Sequence, residues 1–267
     1  MTENLIKDVK KIQQALINKE SVGDEFEEKM EAIHKLEEVE DYLKDALGRG
    51  IKMDIKALIF DMDGLLFDSE RIVQRSWEIA GNELGIQHMG EVIYHTLGMN
   101  RTGRNEYFRK YIREDFPFEE FGELTRDNFW KIVDKEGLPL KSGAKELLAY
   151  GKAQGYKMAV ATSSSREYAM RNLIRTGIDA YFDSVICGDM VKKAKPDPEI
   201  YQKASESLGI QPENCMAFED APGGILSAHQ AGMRVIMVPD LVQPTEEIRK
   251  LTYRVCDSLA DVIEIWN

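Results

Sequence analysis

Leu58-Ile59-Phe60-Asp61-Met62-Asp63-Gly64 is an apolar run that stops abruptly on two carboxylates and a glycine. From Ala57 to Phe60 the run is too short for a helix and reads as a strand buried on both faces, the kind that parallel sheets are made of. Asp61 and Asp63 then leave the strand at its carboxyl end, and Gly64 lets the backbone turn sharply behind them. Two acidic side chains are thereby set on exposed chain beside an apolar interior.

The same rhythm recurs downstream. Met158 to Ala161, Ser184 to Cys187, Cys215 to Phe218 and Val235 to Val238 are further short apolar runs, with helical patterns at about 142–154, 166–176, 198–208 and 222–231 between them. Alternating strand and helix predicts an α/β fold with a doubly wound, Rossmann-like parallel sheet as its core, and places ligand chemistry at the carboxyl ends of the strands.

One interval breaks the rhythm, because far more chain separates the first run from Met158 than a single crossover helix needs. Residues 69–138 read as helices: Trp77, Ala80 and Leu84 share a face in one, Tyr107 and Tyr111 in another, and Phe129, Ile132 and Val133 in a third. A small helical cap domain of residues 69–138 is expected, inserted into a core of residues 53–68 and 139–267. Its crossings near Phe67-Asp68-Ser69 and Leu138-Pro139 suit a lid. Residues 1–52 form a separate helical extension. Leu5, Val9, Ile12 and Leu16, then Phe26, Met30, Ile33, Leu36, Leu43 and Leu47, follow helical spacing, with a break at Ser21 to Gly23 and a stop at Gly48 and Gly50. Asp24 with Glu27 resembles a capping box, so a helical hairpin is expected, its apolar stripe a candidate for self-association through residues 1–50.

Composition excludes several classes of function. A formal net charge of -12 repels a nucleic-acid backbone, and no basic stretch interleaved with aromatics is present. No window reaches the roughly 18 consecutive apolar residues of a membrane span. Met1 to Lys11 lacks the continuous apolar core of a signal peptide, which makes the cytoplasm the expected location. Cys187, Cys215 and Cys256 are odd in number and sit in apolar surroundings, as buried reduced thiols do. His34, His88, His95 and His229 show no zinc-type spacing, so a metal here would sit on oxygen.

Each later strand also ends in residues suited to a phosphate. Thr162-Ser163-Ser164 follow the second run, Lys195-Pro196 lie in the loop after the third, and Glu219-Asp220 follow the fourth. Singly these read as an N-cap cluster, a surface lysine and an acidic loop. Four such coincidences at four successive strand ends point to one shared site.

These residues, in this order, closely resemble the haloacid dehalogenase-like superfamily of phosphohydrolases over about residues 56–260. Leu58 to Leu66 and Phe218-Glu219-Asp220-Ala221-Pro222-Gly223-Gly224-Ile225 are similar to the branch containing β-phosphoglucomutase, 2-deoxyglucose-6-phosphatase and pseudouridine-5'-phosphatase. The resemblance implies a Mg2+-dependent phosphatase of a small phosphorylated metabolite. In it Asp61 is the nucleophile that becomes an aspartyl-phosphate, and Asp63 is the general acid and base, its pKa raised by the crowding of Asp61 and Asp220. Thr162 and Lys195 contact the phosphoryl group with Ser163 and Ser164, and Mg2+ is held by Asp61, the Asp63 carbonyl and Asp220, with Glu219 in or next to the shell. In the cap, Gly98-Met99-Asn100-Arg101 matches a segment that faces the active site in this branch, which makes Arg101 a substrate-binding candidate; Arg104 is the weaker one. A phosphosugar mutase is the nearest rival, but the cap-side histidine expected about ten residues after Asp63 is replaced by Val73. A catalytically idle binding protein is a further alternative, and its mark would be a broken site.

Overall fold

The structure, a computed structural model, describes residues 2–19, 28–30, 32–33, 35–36, 39, 54–96 and 101–266. The chain divides into two units, Met1–Asp54 and Ile55–Asn267. The second contains six parallel strands: β1 (Ala57–Phe60), β2 (Lys157–Ala161), β3 (Ser184–Ile186), β4 (Cys215–Glu219), β5 (Arg234–Met237) and β6 (Arg254–Val255). Their order across the sheet is β3-β2-β1-β4-β5-β6, a doubly wound arrangement whose direction of winding reverses at β1 and β4. A crevice opens at such a reversal, outside the carboxyl ends of the two strands. Phe60 is level with Val160 on one side and Phe218 on the other, so Asp61 leaves the sheet beside Ala161 and Glu219.

Successive strand side chains point to opposite faces, and here both faces are covered, which is why the runs are continuously apolar. On one face Ala57, Ile59, Ala159, Ala217 and Val235 pack against Ile200, Ala204, Ile225 and Ala228 of the helices Glu199–Leu208 and Pro222–Gln230. On the other, Phe60 stacks on Phe218 at 4.7 Å and meets Phe182 edge-on at 6.0 Å. Helix Ala144–Ala153 lies close enough on that face for a Cβ on Gly151 to press on Leu58 and Met158. The five strands and four helices expected for the core are all present, while β6, two residues long, has no counterpart in the apolar pattern.

Among the described residues, four helices lie between β1 and Ala144–Ala153: Glu70–Glu83, Met89–Thr96, Arg101–Tyr111 and Phe118–Glu136. They enclose a second core of Trp77, Ala80, Met89, Val92, Ile93, Phe108, Phe116 and Phe121, in which Trp77 meets Phe108 and Phe121 edge-on, each at 5.6 Å. The helix Met89–Thr96 goes unanticipated in the sequence pattern. Tyr107 and Tyr111 do share a face, their rings 4.7 Å apart, and Tyr107 packs against this core, but Tyr111 is 60% exposed and Phe108 is the buried anchor of the third helix. The chain enters and leaves these helices at adjacent points, where the Asp68 amide donates to the Pro139 carbonyl at 3.0 Å and the Lys141 amide to Leu66 at 2.9 Å.

In the first unit a helix spans Thr2–Asn18. Of its expected stripe Val9 is buried, whereas Leu5 and Ile12 are exposed. Lys29 Nζ donates to the carbonyls of Ile17 and Lys19 at the end of that helix, while Asp24, Glu27, Leu43 and Leu47 lie outside the described residues.

Gly143, with φ +81°, precedes the helix Ala144–Ala153, and a Cβ there would overlap the backbone of Ala260 in the helix Leu259–Trp266. Gly143→Ala adds left-handed strain to an overlap that backbone has to absorb, and is expected to cost about 2 kcal/mol or more. Urea denaturation would show this as a lower midpoint at unchanged m value. An unchanged midpoint would mean that these two helices do not pack so closely.

Candidate active site

Asp61 follows β1 directly, its amide tied to the Phe218 carbonyl at 3.0 Å, so its position is set by the β1–β4 register. Glu219 is the last residue of β4, and Lys195 reaches in from the loop after β3. Lys195 Nζ lies 2.5 Å from Asp61 Oδ1, 2.6 Å from Glu219 Oε1 and 2.9 Å from the Ala161 carbonyl. Three strand ends thus meet on one ammonium. Burial alone would depress its pKa, but Asp61 and Glu219 outweigh burial and hold Lys195 above the ordinary lysine range, so it stays charged.

Asp220, one residue past β4, completes a group in which ligand oxygens of Asp61, Glu219 and Asp220 all lie within 4.8 Å of one another. Burial, reinforced by Glu219 and Asp61, drives the Asp220 pKa well above the carboxylate range, and burial raises Asp61 to about 7 in spite of Lys195. One ammonium cannot balance this many carboxylates out of water. An oxygen-only donor set with excess negative charge fits a hard divalent cation such as Mg2+. Gly64 makes room for this arrangement, because a Cβ there would overlap the Asp220 carboxylate.

Glu219 is placed in or next to the metal shell by the sequence reading, and it does belong to the carboxylate group. Its oxygens are nonetheless already engaged: Oε1 accepts from Lys195 and from the Tyr201 hydroxyl at 2.7 Å, and Oε2 from the amides of Asp220 and Ala221. The arrangement suits holding Lys195 and the following turn. A Cβ on Gly224 would overlap this carboxylate, so the glycine is required by close approach.

Asp63 is held by three hydroxyls: Ser69 at 3.0 Å and Tyr168 at 3.1 Å on Oδ1, and Ser164 at 2.8 Å on Oδ2. Its pKa is raised, as the sequence implied, but the cause is burial, opposed by those three hydrogen bonds; the crowding by Asp61 and Asp220 is not what moves it. Burial and the neighbouring Asp63 keep the Tyr168 hydroxyl protonated, hence a donor. Thr162 is buried and its hydroxyl accepts from the Ser164 amide at 3.1 Å, whereas Ser163 is exposed. Ser165, not Thr162 or Ser164, caps the helix Arg166–Thr176. Arg101 begins its helix with a side chain outside the described ones, residues 98–100 lie outside them altogether, and Arg104 sits over the Trp77 ring at 5.7 Å.

Ser69, Tyr168 and Tyr201 went unread because each sits in a helix or at its start, where a hydroxyl or an aromatic ordinarily signals capping or packing. Asp240, after β5, was missed although it too stands at a strand's carboxyl end; it pairs with Lys141 at 2.7 Å. Near it Glu70 is raised to about 7 by burial, then by Asp63 and Asp240, against Lys141.

A family model for haloacid dehalogenase-like hydrolases matches residues 58–238. The chain is 31% identical over 182 residues to the phosphorylated carbohydrates phosphatase of Thermotoga maritima, covering 68% of this chain and 84% of that protein. It is 31% identical over 186 residues to hexitol phosphatase A of Escherichia coli, covering 70% and 84%. Among solved structures, CbbY from Rhodobacter sphaeroides in complex with phosphate matches with a TM-score of 0.65 at 27% identity, over 78% of this chain and 96% of that one. The chain therefore belongs to the haloacid dehalogenase-like hydrolase family. Family and named phosphatase relatives together support the enzyme class phosphoric monoester hydrolase.

Asp61 and Glu70 titrate near 7 when folded and near 4 when unfolded, so between those values the folded chain holds protons that the unfolded chain has released. Stability without a divalent cation is expected to fall as pH rises through that window. Mg2+ favours the ionised carboxylates and opposes the fall, so added Mg2+ should raise Tm more at a pH of about 7.5 than at about 5. Equal shifts at both values would argue against a carboxylate site for the cation.

Proposed function

We propose that the chain is a Mg2+-dependent phosphatase of small phosphorylated metabolites that works through an aspartyl-phosphate on Asp61. The observation that carries this reading is the meeting of Asp61, Lys195 and Glu219 at three strand ends, with Asp220 in the same carboxylate group and Asp63 two residues on. Asp61 and Asp220, with the Asp63 carbonyl as the third donor, would hold Mg2+, and Glu219 would support them. The ion, when bound, supplies positive charge that lets a carboxylate and a phosphate dianion approach each other.

An Asp61 oxygen attacks phosphorus, and the bond from phosphorus to the ester oxygen breaks as Asp63 gives that oxygen a proton. Water then attacks the acyl phosphate, Asp63 takes its proton, and inorganic phosphate leaves with Asp61 restored. Lys195 offsets charge on Asp61 and on the transferring group, and the Thr162 hydroxyl donates to a phosphoryl oxygen. Ser163, Ser164 and Arg101 are proposed substrate contacts. Residues 69–138 act as the lid over the crevice, and the enzyme works in the cytoplasm, where three buried thiols stay reduced. Among the described residues, no helix is long and apolar enough to cross a membrane.

The substrate class follows the relatives in kind: a sugar or polyol phosphate. A mutase reading is weaker, since Val73, at the place of the expected histidine, packs against the apolar core of the inserted helices and brings no titratable group.

Turnover of p-nitrophenyl phosphate and of a panel of sugar phosphates tests this reading. Activity is expected only with Mg2+, to disappear with chelator, and to fall about a thousandfold or more in Asp61→Asn. Turnover that survives both treatments would remove it.

A further inference from the structure

The three hydroxyls on Asp63 are not equivalent. Ser69 stands at the start of the inserted helix Glu70–Glu83 and Ser164 in the loop after β2, whereas Tyr168 reaches Asp63 from the first turn of the helix Arg166–Thr176. Its ring is packed against Phe129 and Trp130 of the inserted helix Phe118–Glu136, with centroids 5.6 and 5.7 Å apart. One turn on, the Arg171 guanidinium lies 3.5 Å over the Trp130 ring. Arg171 at 3.6 Å and Arg175 at closer range pair with Asp134 of the same inserted helix. Residues 168, 171 and 175 share one helix face, so a continuous strip of that face is fastened to the inserted helix. Asp63 is thereby linked to the inserted helices at two points, through Ser69 at the start of Glu70–Glu83 and through the Tyr168 phenol that is packed on Phe118–Glu136.

We propose that Tyr168 is a positioning residue that couples the seating of the inserted helices to the orientation of Asp63. The proposal rests on Asp63 being the acid and base. The phenol, with Ser69, fixes Oδ1 and so sets the direction of Oδ2, the oxygen beside Ser164 from which the proton passes to the ester oxygen as the bond to phosphorus breaks. Phe129 and Trp130 act only through the ring they hold.

Phenyl and p-nitrophenyl phosphate, compared in the full chain with Mg2+, separate this from a packing role. Phenolate is the poorer leaving group and needs the proton more. Tyr168→Phe keeps the ring and removes the hydroxyl, so kcat/KM should fall about tenfold or more for phenyl phosphate and by no more than about threefold for p-nitrophenyl phosphate. Trp130→Leu should reproduce part of the phenyl phosphate loss. The double variant should be no slower than Tyr168→Phe alone, because the ring's placement no longer matters once the hydroxyl is gone. Equal losses on the two substrates, or losses that multiply in the double variant, would overturn the proposal. Asp63→Asn is measured alongside: if it retains the parent's phenyl phosphate activity, the assignment of Asp63 has failed, and if it is dead while Tyr168→Phe is unimpaired, only the role of Tyr168 has.

Discussion

A single ammonium, that of Lys195, stands between two buried carboxylates, and the geometry of the site follows from keeping it there. A charged pair out of water is tolerated only when each partner is closely met, since desolvation costs several kcal/mol per ion. Asp61 and Glu219 meet Lys195 from adjacent strands, Ala161 offers a carbonyl from a third, and Tyr201 satisfies the remaining side of Glu219. A register slip between β1 and β4 would separate Asp61 from Glu219 and leave both charges uncompensated. The parallel pairing of Phe60 with Val160 and Phe218 is therefore as much a condition of the chemistry as of the fold.

The charge remaining after that pairing is negative, and this decides what the crevice accepts. Asp220 and Asp63 add carboxyls that Lys195 does not neutralise, in a chain whose net charge is already -12. A phosphate dianion would be repelled from such a pocket. In the proposed mechanism a cation seated among the carboxylates would turn it into an anion site, so that metal and substrate would bind as one design.

Much of this was legible in the sequence, for a physical reason. Strands covered on both faces read as unbroken apolar runs; the first, second and fourth stop at a polar residue that has nowhere to go except the sheet's edge, and the third is followed by a loop in which Pro196-Asp197-Pro198 marks out Lys195. Asp61, Asp63, Thr162, Lys195, Glu219 and Asp220 could be named that way, and the structure brings them to one end of the sheet. The same logic gave no purchase on β6, whose two residues make no run, or on Met89–Thr96. It found the face shared by Tyr107 and Tyr111 but not Phe108, because periodicity does not say how deeply each aromatic is buried: Tyr107 packs against the inserted core, Phe108 lies within it and Tyr111 is exposed. Tyr168 and Tyr201 were invisible since their contacts run between elements, and a helix pattern carries no information about the carboxylate across the gap.

The division of labour within the second unit bears on how relatives with similar cores come to differ. The groups proposed to react stand at strand ends, fixed by ladder hydrogen bonds and by the apolar layers beneath, while the inserted helices are packed around their own aromatic core. Residues of those helices can change without disturbing Asp61 or Lys195, provided Trp77, Phe108 and Phe121 still fill that core. The named relatives fit this view, one a hexitol phosphatase and another a phosphatase of phosphorylated carbohydrates at the same 31% identity. The strip from Tyr168 to Asp134 is where that freedom ends: there the inserted helix is fastened to the element that reaches Asp63, and a change on either side is felt by both.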